Sequence, residues 1–168
     1  MHSAPMLADA FGRIREVVHD VVEGMSDDDL VLRVDAEANS VAWLVWHLTR
    51  VQDDHVAGVA GVEQTWTAEG WAGRFALPLE PGDIGYGHNS QDVAAVRAGA
   101  GLLCGYHDAV HAATVRFLEG VRDADLDAVV DERFDPPVTM GVRLVSVVAD
   151  DLQHCGQAAY VRGLIDRR

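Results

Sequence analysis

Lysine is absent from the 168 residues: all 13 basic side chains are arginine, they face 27 acidic ones, and the formal net charge is -14 with histidine counted neutral. A basic footprint able to neutralise phosphates is therefore missing, which excludes nucleic acid as a partner. A chain this acidic is also repelled by an anionic membrane surface. Cysteine is scarce, and Cys104 and Cys155 form neither a CxxC pair nor a disulfide framework. That usage suits a reducing compartment. Long hydrophobic runs are lacking too: Val41–Leu48 and Leu144–Ala149 fall well short of the roughly 20 residues that span a bilayer. Met1–Leu7 carries neither the basic nor the apolar region of a secretory signal. A cytoplasmic location and no membrane partner are expected.

What is present is apolar content, at 49%, too much for a disordered acidic tail. A chain of this length buries roughly 68–70% of its unfolded surface, enough for one core. The expectation is one domain over residues 1–168. Leu7, Phe11, Ile14, Val18, Val21 and Met25 recur at helical steps and predict a first long helix from about Pro5 to Met25. Ser26 can cap a short turn after it. Asn39 or Ser40 opens a second helix that runs to about Ala60. From Gly61 to Asn89 no period survives and Gly, Pro and aromatic residues dominate. So long an irregular stretch often marks a functional loop, and it reads as a crossover with one short helix near Thr67–Gly73. Ser90 and Asp92 suit the start of a third helix, whose stripe continues through Leu103, His107, Val110 and Phe117 to Val121. An extended piece over Ala128–Phe134 ends at Pro136 and Pro137. A fourth helix follows from about Met140 to Ile165. Four long helices with almost no strand signal predict an all-α four-helix bundle with a long crossover between its second and third helices.

Eight histidines invite separate weighing. His2 and His19 read as surface residues, His88 as a turn residue, and His55, His107 and His111 as core or boundary residues with ordinary hydrogen bonds. Asp150 and His154 differ, because four residues on a helix place two side chains on one face, about 5–6 Å apart at Cβ. Such a pair can share a divalent ion, or form a buried Asp–His hydrogen bond, or lie on the helix surface. Asp150 aligns with the Val147, His154 and Val161 stripe. Asp151, three before His154, is the rival ligand and leans towards the neighbouring groove. His47 interrupts the apolar run Leu44, Leu48 and Val51 and needs a polar partner if buried. By itself it reads as a satisfied core histidine, although a bundle can bring it to face the fourth helix.

Together, Asn39-Ser40-Val41-Ala42-Trp43-Leu44-Val45-Trp46-His47-Leu48 and Asp150-Asp151-Leu152-Gln153-His154-Cys155-Gly156-Gln157 resemble two helices of the DinB/YfiT-like superfamily of four-helix metalloproteins. The second segment is similar to the family signature in which a metal ligand is followed four residues later by His, then by another residue, Gly, and Gln or His. Phe75-Ala76-Leu77-Pro78-Leu79 and Gly85-Tyr86-Gly87-His88 resemble an actinobacterial-type branch. The resemblance spans essentially the whole chain and implies His47, Asp150 and His154 as metal ligands. Many members carry His where this chain has Asp150, while related mycothiol-dependent isomerases carry a carboxylate there. The donor set implies zinc first, with nickel, manganese or iron also admitted.

The resemblance further implies a metal-dependent S-transferase or isomerase that uses a low-molecular-weight thiol such as mycothiol, with a small electrophile as second substrate. Three protein ligands leave an open position on the metal, where a bound thiol loses its proton. Neither cysteine suits a nucleophile, since Cys155 lies about 100° round the helix from His154. Gln157, one turn beyond His154, can orient a ligand. Arg74 and Arg162 read as solvated side chains. Trp43, Trp46, Trp66 and Trp71 read as core packing that can also wall a pocket. Two other readings stand beside the enzyme: a non-catalytic helical module whose apolar faces make a homodimer, as superfamily members often do, and a metal-dependent hydrolase.

Overall fold

A computed structural model describes residues 2–168. The four long helices are α1 (Ser3–Val22), α3 (Val41–Ala60), α7 (Ala100–Leu118) and α8 (Met140–Ile165). Each of α1 and α3 packs against both α7 and α8, while α1 and α3 touch little. The bundle is therefore a ring in the order α1, α7, α3, α8, with α1 and α3 on a diagonal. The all-α reading stands.

α3 is the most deeply placed helix, and its burial is nearly continuous from Val41 to Asp53. A helix apolar on one face only cannot sit there; Val41, Ala42, Trp43, Leu44, Val45, Trp46 and Leu48 give it an apolar surface all round. Ser40 starts it, its hydroxyl accepting the N–H of Trp43 at 3.1 Å. On α1 the expected stripe is the buried one, with Phe11, Ile14, Val18 and Val21 at the core and Leu7 at its margin, but the helix ends at Val22, short of the expected Met25, which packs on the core from the segment beyond it. Ser26 caps a short helix, α2 (Asp27–Val31).

The third long helix departs from expectation. It is two helices: α6 (Ser90–Ala95), capped by Asn89 in a reciprocal box with Asp92, and α7, which begins only at Ala100. The chain breaks over 96–99, where Val96 and Ala98 turn inward and are buried. Gly99 lies against the Asp27 carboxylate, where a Cβ would come within 2.7 Å of it. Gly99 and Gly101 each cost about 1 kcal/mol in a helix interior, so the contact with α2 wins over helical continuity.

The crossover holds two short helices instead of one, α4 (Thr65–Ala68) and α5 (Trp71–Phe75). It is pinned by two charged residues buried in α3. The Asp53 carboxylate accepts the N–H groups of Thr65 and Trp66, both at 2.8 Å, and the Tyr106 hydroxyl at 2.7 Å. The Arg50 guanidinium donates to Gln64 at 2.8 Å, to the Tyr106 oxygen at 3.1 Å and to the Asp83 carbonyl at 3.2 Å. Both charges are almost fully enclosed, at 0% and 3% side-chain exposure, and burial of this kind is tolerated only when paired and hydrogen-bonded. The segment expected to be extended forms a small antiparallel hairpin, β1 (Val129–Asp131) with β2 (Val138–Thr139), leading directly into α8.

Candidate metal centre

The site lies where α3 crosses α8. His47 comes from α3 and Asp150 and His154 from successive turns of α8; one ligand atom from each lies within 4.8 Å of the others. The two imidazole rings meet edge to face with centroids 4.8 Å apart. The three residues that sequence and resemblance brought together are thus neighbours in space.

Each imidazole has one nitrogen already occupied. Nδ1 of His47 is hydrogen-bonded to the Ile84 carbonyl, and since a carbonyl only accepts, that nitrogen carries the proton. Nε2 of His47 keeps its lone pair. Nδ1 of His154 lies 2.8 Å from the Gln157 amide oxygen, which turns Nε2 towards the cluster, 3.7 Å from Oδ2 of Asp150. That carboxylate oxygen is buried and has no hydrogen-bond partner. Burial lowers the pKa of His47, and the proximity of His154 adds to this against the Ile84 carbonyl, so the ring stays neutral. A neutral imidazole with its far nitrogen tied to an acceptor is the form that ligates metal.

The orientation of His47 is set from three sides. Trp43, one turn earlier, stacks on it at 4.6 Å. Tyr86 meets it edge-on at 5.4 Å. Gly85, with φ of 99°, presses against its face: a Cβ there would lie 2.5 Å from Nδ1. The crossover is fixed at this point by a chain of hydrogen bonds. The indole N–H of Trp43 donates to Nδ1 of His88 at 3.0 Å, so Nε2 of His88 is the protonated nitrogen and donates to Asp83 at 2.8 Å. Asp83 also accepts the Gly85 N–H at 2.8 Å. Burial opposes ionisation of Asp83, but His88, the Gly85 N–H and Arg50 outweigh it and hold its pKa below the usual value.

His88 is therefore a turn residue, as its position before a cap implied, but a turn residue that braces the site. Gly85 and Ile84 escaped sequence reasoning, because neither carries a reactive group. The Gly85-Tyr86-Gly87 run was the available signal, since paired glycines mark a backbone that must pass something closely.

On α8 the details differ from expectation. The inward stripe is Leu144, Val147, Asp151, Cys155, Ala158 and Val161. Asp150 and His154 lie one position off it, at the rim, with side-chain exposures of 28% and 17%. Asp151 takes a core position at 0% exposure and neither oxygen has a partner; desolvation, with the Asp150 charge next to it, pushes its pKa well up. A helix advances 100° per residue, so Asp150 and Asp151 cannot both share the inner face, and the one aimed at His47 is Asp150. Cys155 is a small buried hydrophobe, its thiol pushed up to about 12 by burial.

The remaining candidates settle into structural roles. His107 is fully buried against Thr49 at 3.0 Å. His19 bonds to Asp108 at 2.8 Å, His2 faces Asp123 and His55 faces Asp54. Arg162 closes the end of α1 through the carbonyls of Asp20 and Val21, and Arg74 lies over Trp71. Trp66 and Trp71 pack on Tyr106 in the core, whereas Trp43 walls the site. No described helix is long and apolar enough to cross a membrane.

A helical bundle with a His–Asp–His cluster between two facing helices defines a class of proteins with sites that can hold a metal ion. Within that class the assignment is specific: residues 6–167 match the family model described as mycothiol-S-transferase, and the chain belongs to that family. Its fold is that of a crystal structure described as the conserved protein of locus from Enterococcus faecalis, with a TM-score of 0.93 and 29% identity over 100% of this chain and 99% of that one. No curated protein matches.

Proposed function

We propose that this chain is a divalent-metal-dependent S-transferase that joins a mycothiol-type thiol to a small electrophile, with His47, Asp150 and His154 holding the metal. The observation that carries the reading is the convergence of two imidazoles, each with Nδ1 held by a protein oxygen and Nε2 without a hydrogen-bond partner, on a buried carboxylate oxygen that has no hydrogen-bond partner either. An unpaired buried carboxylate oxygen is costly, and a cation between the three atoms removes that cost. Family membership supports the thiol. Zinc is the first expectation, and nickel, manganese and ferrous iron suit the same donors.

When bound, the metal supplies a Lewis acid that lowers the pKa of a coordinated thiol. The protein's own contribution is orientation. Ile84 and Gln157 hold Nδ1 of the two imidazoles away from the cluster, and Trp43 and Gly85 fix the plane of His47. Tyr86 stands 60% exposed at the mouth. Its phenol is pushed up by burial and by the carboxylates around it, so it stays a hydrogen-bond donor towards an arriving substrate. No protein nucleophile is needed, in keeping with the buried, protonated Cys155.

The test is metal content after purification and after reconstitution, followed by thiol transfer to an electrophile such as monochlorobimane. One equivalent of metal, lost in His47→Ala and in His154→Ala together with turnover, is expected. A wild-type protein that takes up no metal, or variants with unchanged occupancy, would overturn the reading.

A further inference from the structure

Across the ring from the α3–α8 groove, the seam between α1 and α7 opens into a cavity of 560 Å³. Its volume falls in the range of small-molecule sites, about 300–1,000 Å³. The cause is legible in α1. Ala4 and Ala8 stand one turn apart on the face that continues as Phe11. Phe11 is fully buried in the core, whereas the small side chains before it leave volume unfilled. Pro5 completes that wall, and Val115, Leu118 and Val121 form the opposite one. The cavity is remote from the metal cluster. Ile14, whose carbonyl faces the Cys155 thiol next to His154, is six residues, ~9 Å, further along α1 than Ala8.

The rim decides what can enter. Its ionisable side chains are His2, Glu119, Arg122 and Asp123, and three of them are engaged. The Asp123 carboxylate accepts the N–H of Ser3 at 2.9 Å, at the start of α1, and faces His2 at 3.3 Å. Arg122 donates to Asp125 through Nε at 3.1 Å and through Nη2 at 2.8 Å. Glu119 is exposed and has no ion-pair partner among the described residues. It also caps the C-terminal end of α7, where the helix dipole is negative. The unanswered charge at the mouth is therefore negative. An anion would meet Glu119 and Asp123 in a chain of net charge -14, whereas a cation finds Glu119 free.

We propose that this cavity binds a small lipophilic amine, its apolar body between α1 and α7 and its ammonium group at Glu119. Burial against Val115 and Leu118 takes the apolar body out of water, while the ammonium stays at the wet rim and keeps its hydration. The proposal stands apart from the S-transferase reading, because none of His47, Asp150 and His154 lines this cavity.

The test titrates the full chain by NMR, at low salt, with three probes of one shape: naphthylethylamine, cationic at neutral pH, naphthylethanol and naphthylacetate. Saturable shifts at the amides of Ala8, Val115 and Glu119 are expected with the amine, weaker binding with the alcohol and the weakest with the carboxylate. Glu119→Gln should weaken the amine by about two- to five-fold, the scale of one exposed ion pair, and leave the alcohol unchanged. Ala8→Trp fills the cavity and should abolish saturation by the amine and the alcohol, with the metal stoichiometry of the wild type. Ala4→Leu is a smaller lesion should Ala8→Trp not fold. The proposal is overturned by an absence of saturable shifts in the wild type, by a carboxylate bound as tightly as the amine, by amine affinity unchanged in Glu119→Gln, or by affinity unchanged in the filled variants.

Discussion

Gly85 and His47 are in such close contact that a single added carbon would collide with the imidazole, 2.5 Å from Nδ1. The hydrogen bond from that nitrogen to the carbonyl of Ile84 runs through the same contact. Gly85→Ala should therefore tilt His47 and weaken metal binding by about 10–100-fold, the usual scale for a lost outer-shell support. Gly87→Ala is the control. It has a similar left-handed backbone, φ 76°, but open space around a Cβ, so it should cost about 1–2 kcal/mol of stability and leave metal affinity alone. Competition against a chromogenic chelator measures both. Equal losses of affinity in the two variants would show that backbone strain, and not the contact, is responsible.

Asp150 and Asp151 are adjacent acids with opposite surroundings. Asp150→Asn should abolish stoichiometric metal binding, because it removes the charged oxygen beside Nε2 of His154. Asp151→Asn should retain it, because Asp151 points into the core with Cys155 and Val147. Metal analysis of the two purified variants decides; loss in Asp151→Asn alone would move the carboxylate ligand by one residue.

How far these features were legible in the sequence follows from which interactions are local. The span of α8 and the cap of α3 were readable because hydrophobic period and Ser40 act within one turn. The pairing of His47 with His154 was not readable from spacing, since it joins residues over a hundred positions apart; it came from resemblance. The break before α7 was missed because its cause is a contact between Gly99 and Asp27 of another helix. The inward turn of Asp151 was missed for a different reason: a period of 3.6 assigns neighbouring residues to a face only to within 100°, and a carboxylate is the least expected occupant of the core.

His107 gives a pH dependence that does not involve the metal. Burial lowers its pKa from 6.5 to about 3, with His111, His19 and Arg15 also disfavouring its protonation and Asp108 opposing them. The unfolded chain takes up this proton as pH falls below 6.5, while the folded chain refuses it until about 3. Acid therefore favours unfolding across that interval, by about 1.4 kcal/mol per pH unit from this group. Urea unfolding of the metal-free protein at several pH values should show a steeper loss for the wild type than for His107→Gln. Parallel pH profiles would mean that His107 is protonated in the fold.

The Arg50–Asp53 pair connects stability to the site. Asp53→Ala leaves Arg50 buried without its partner, 3.7 Å away in the wild type, and strips the acceptor from the N–H groups of Thr65 and Trp66. A loss of about 3–5 kcal/mol is expected. The double change Arg50→Met with Asp53→Leu removes both charges and should recover part of that loss, but not all, because the two backbone donors still lack an acceptor. Arg50 also holds the Asp83 carbonyl, one residue before the Ile84 carbonyl that orients His47. The double variant should therefore regain stability without regaining metal affinity. Denaturant unfolding and chelator competition on the same samples separate the two effects, and a double variant that binds metal as the wild type does would show that the crossover keeps its place at His47 without Arg50.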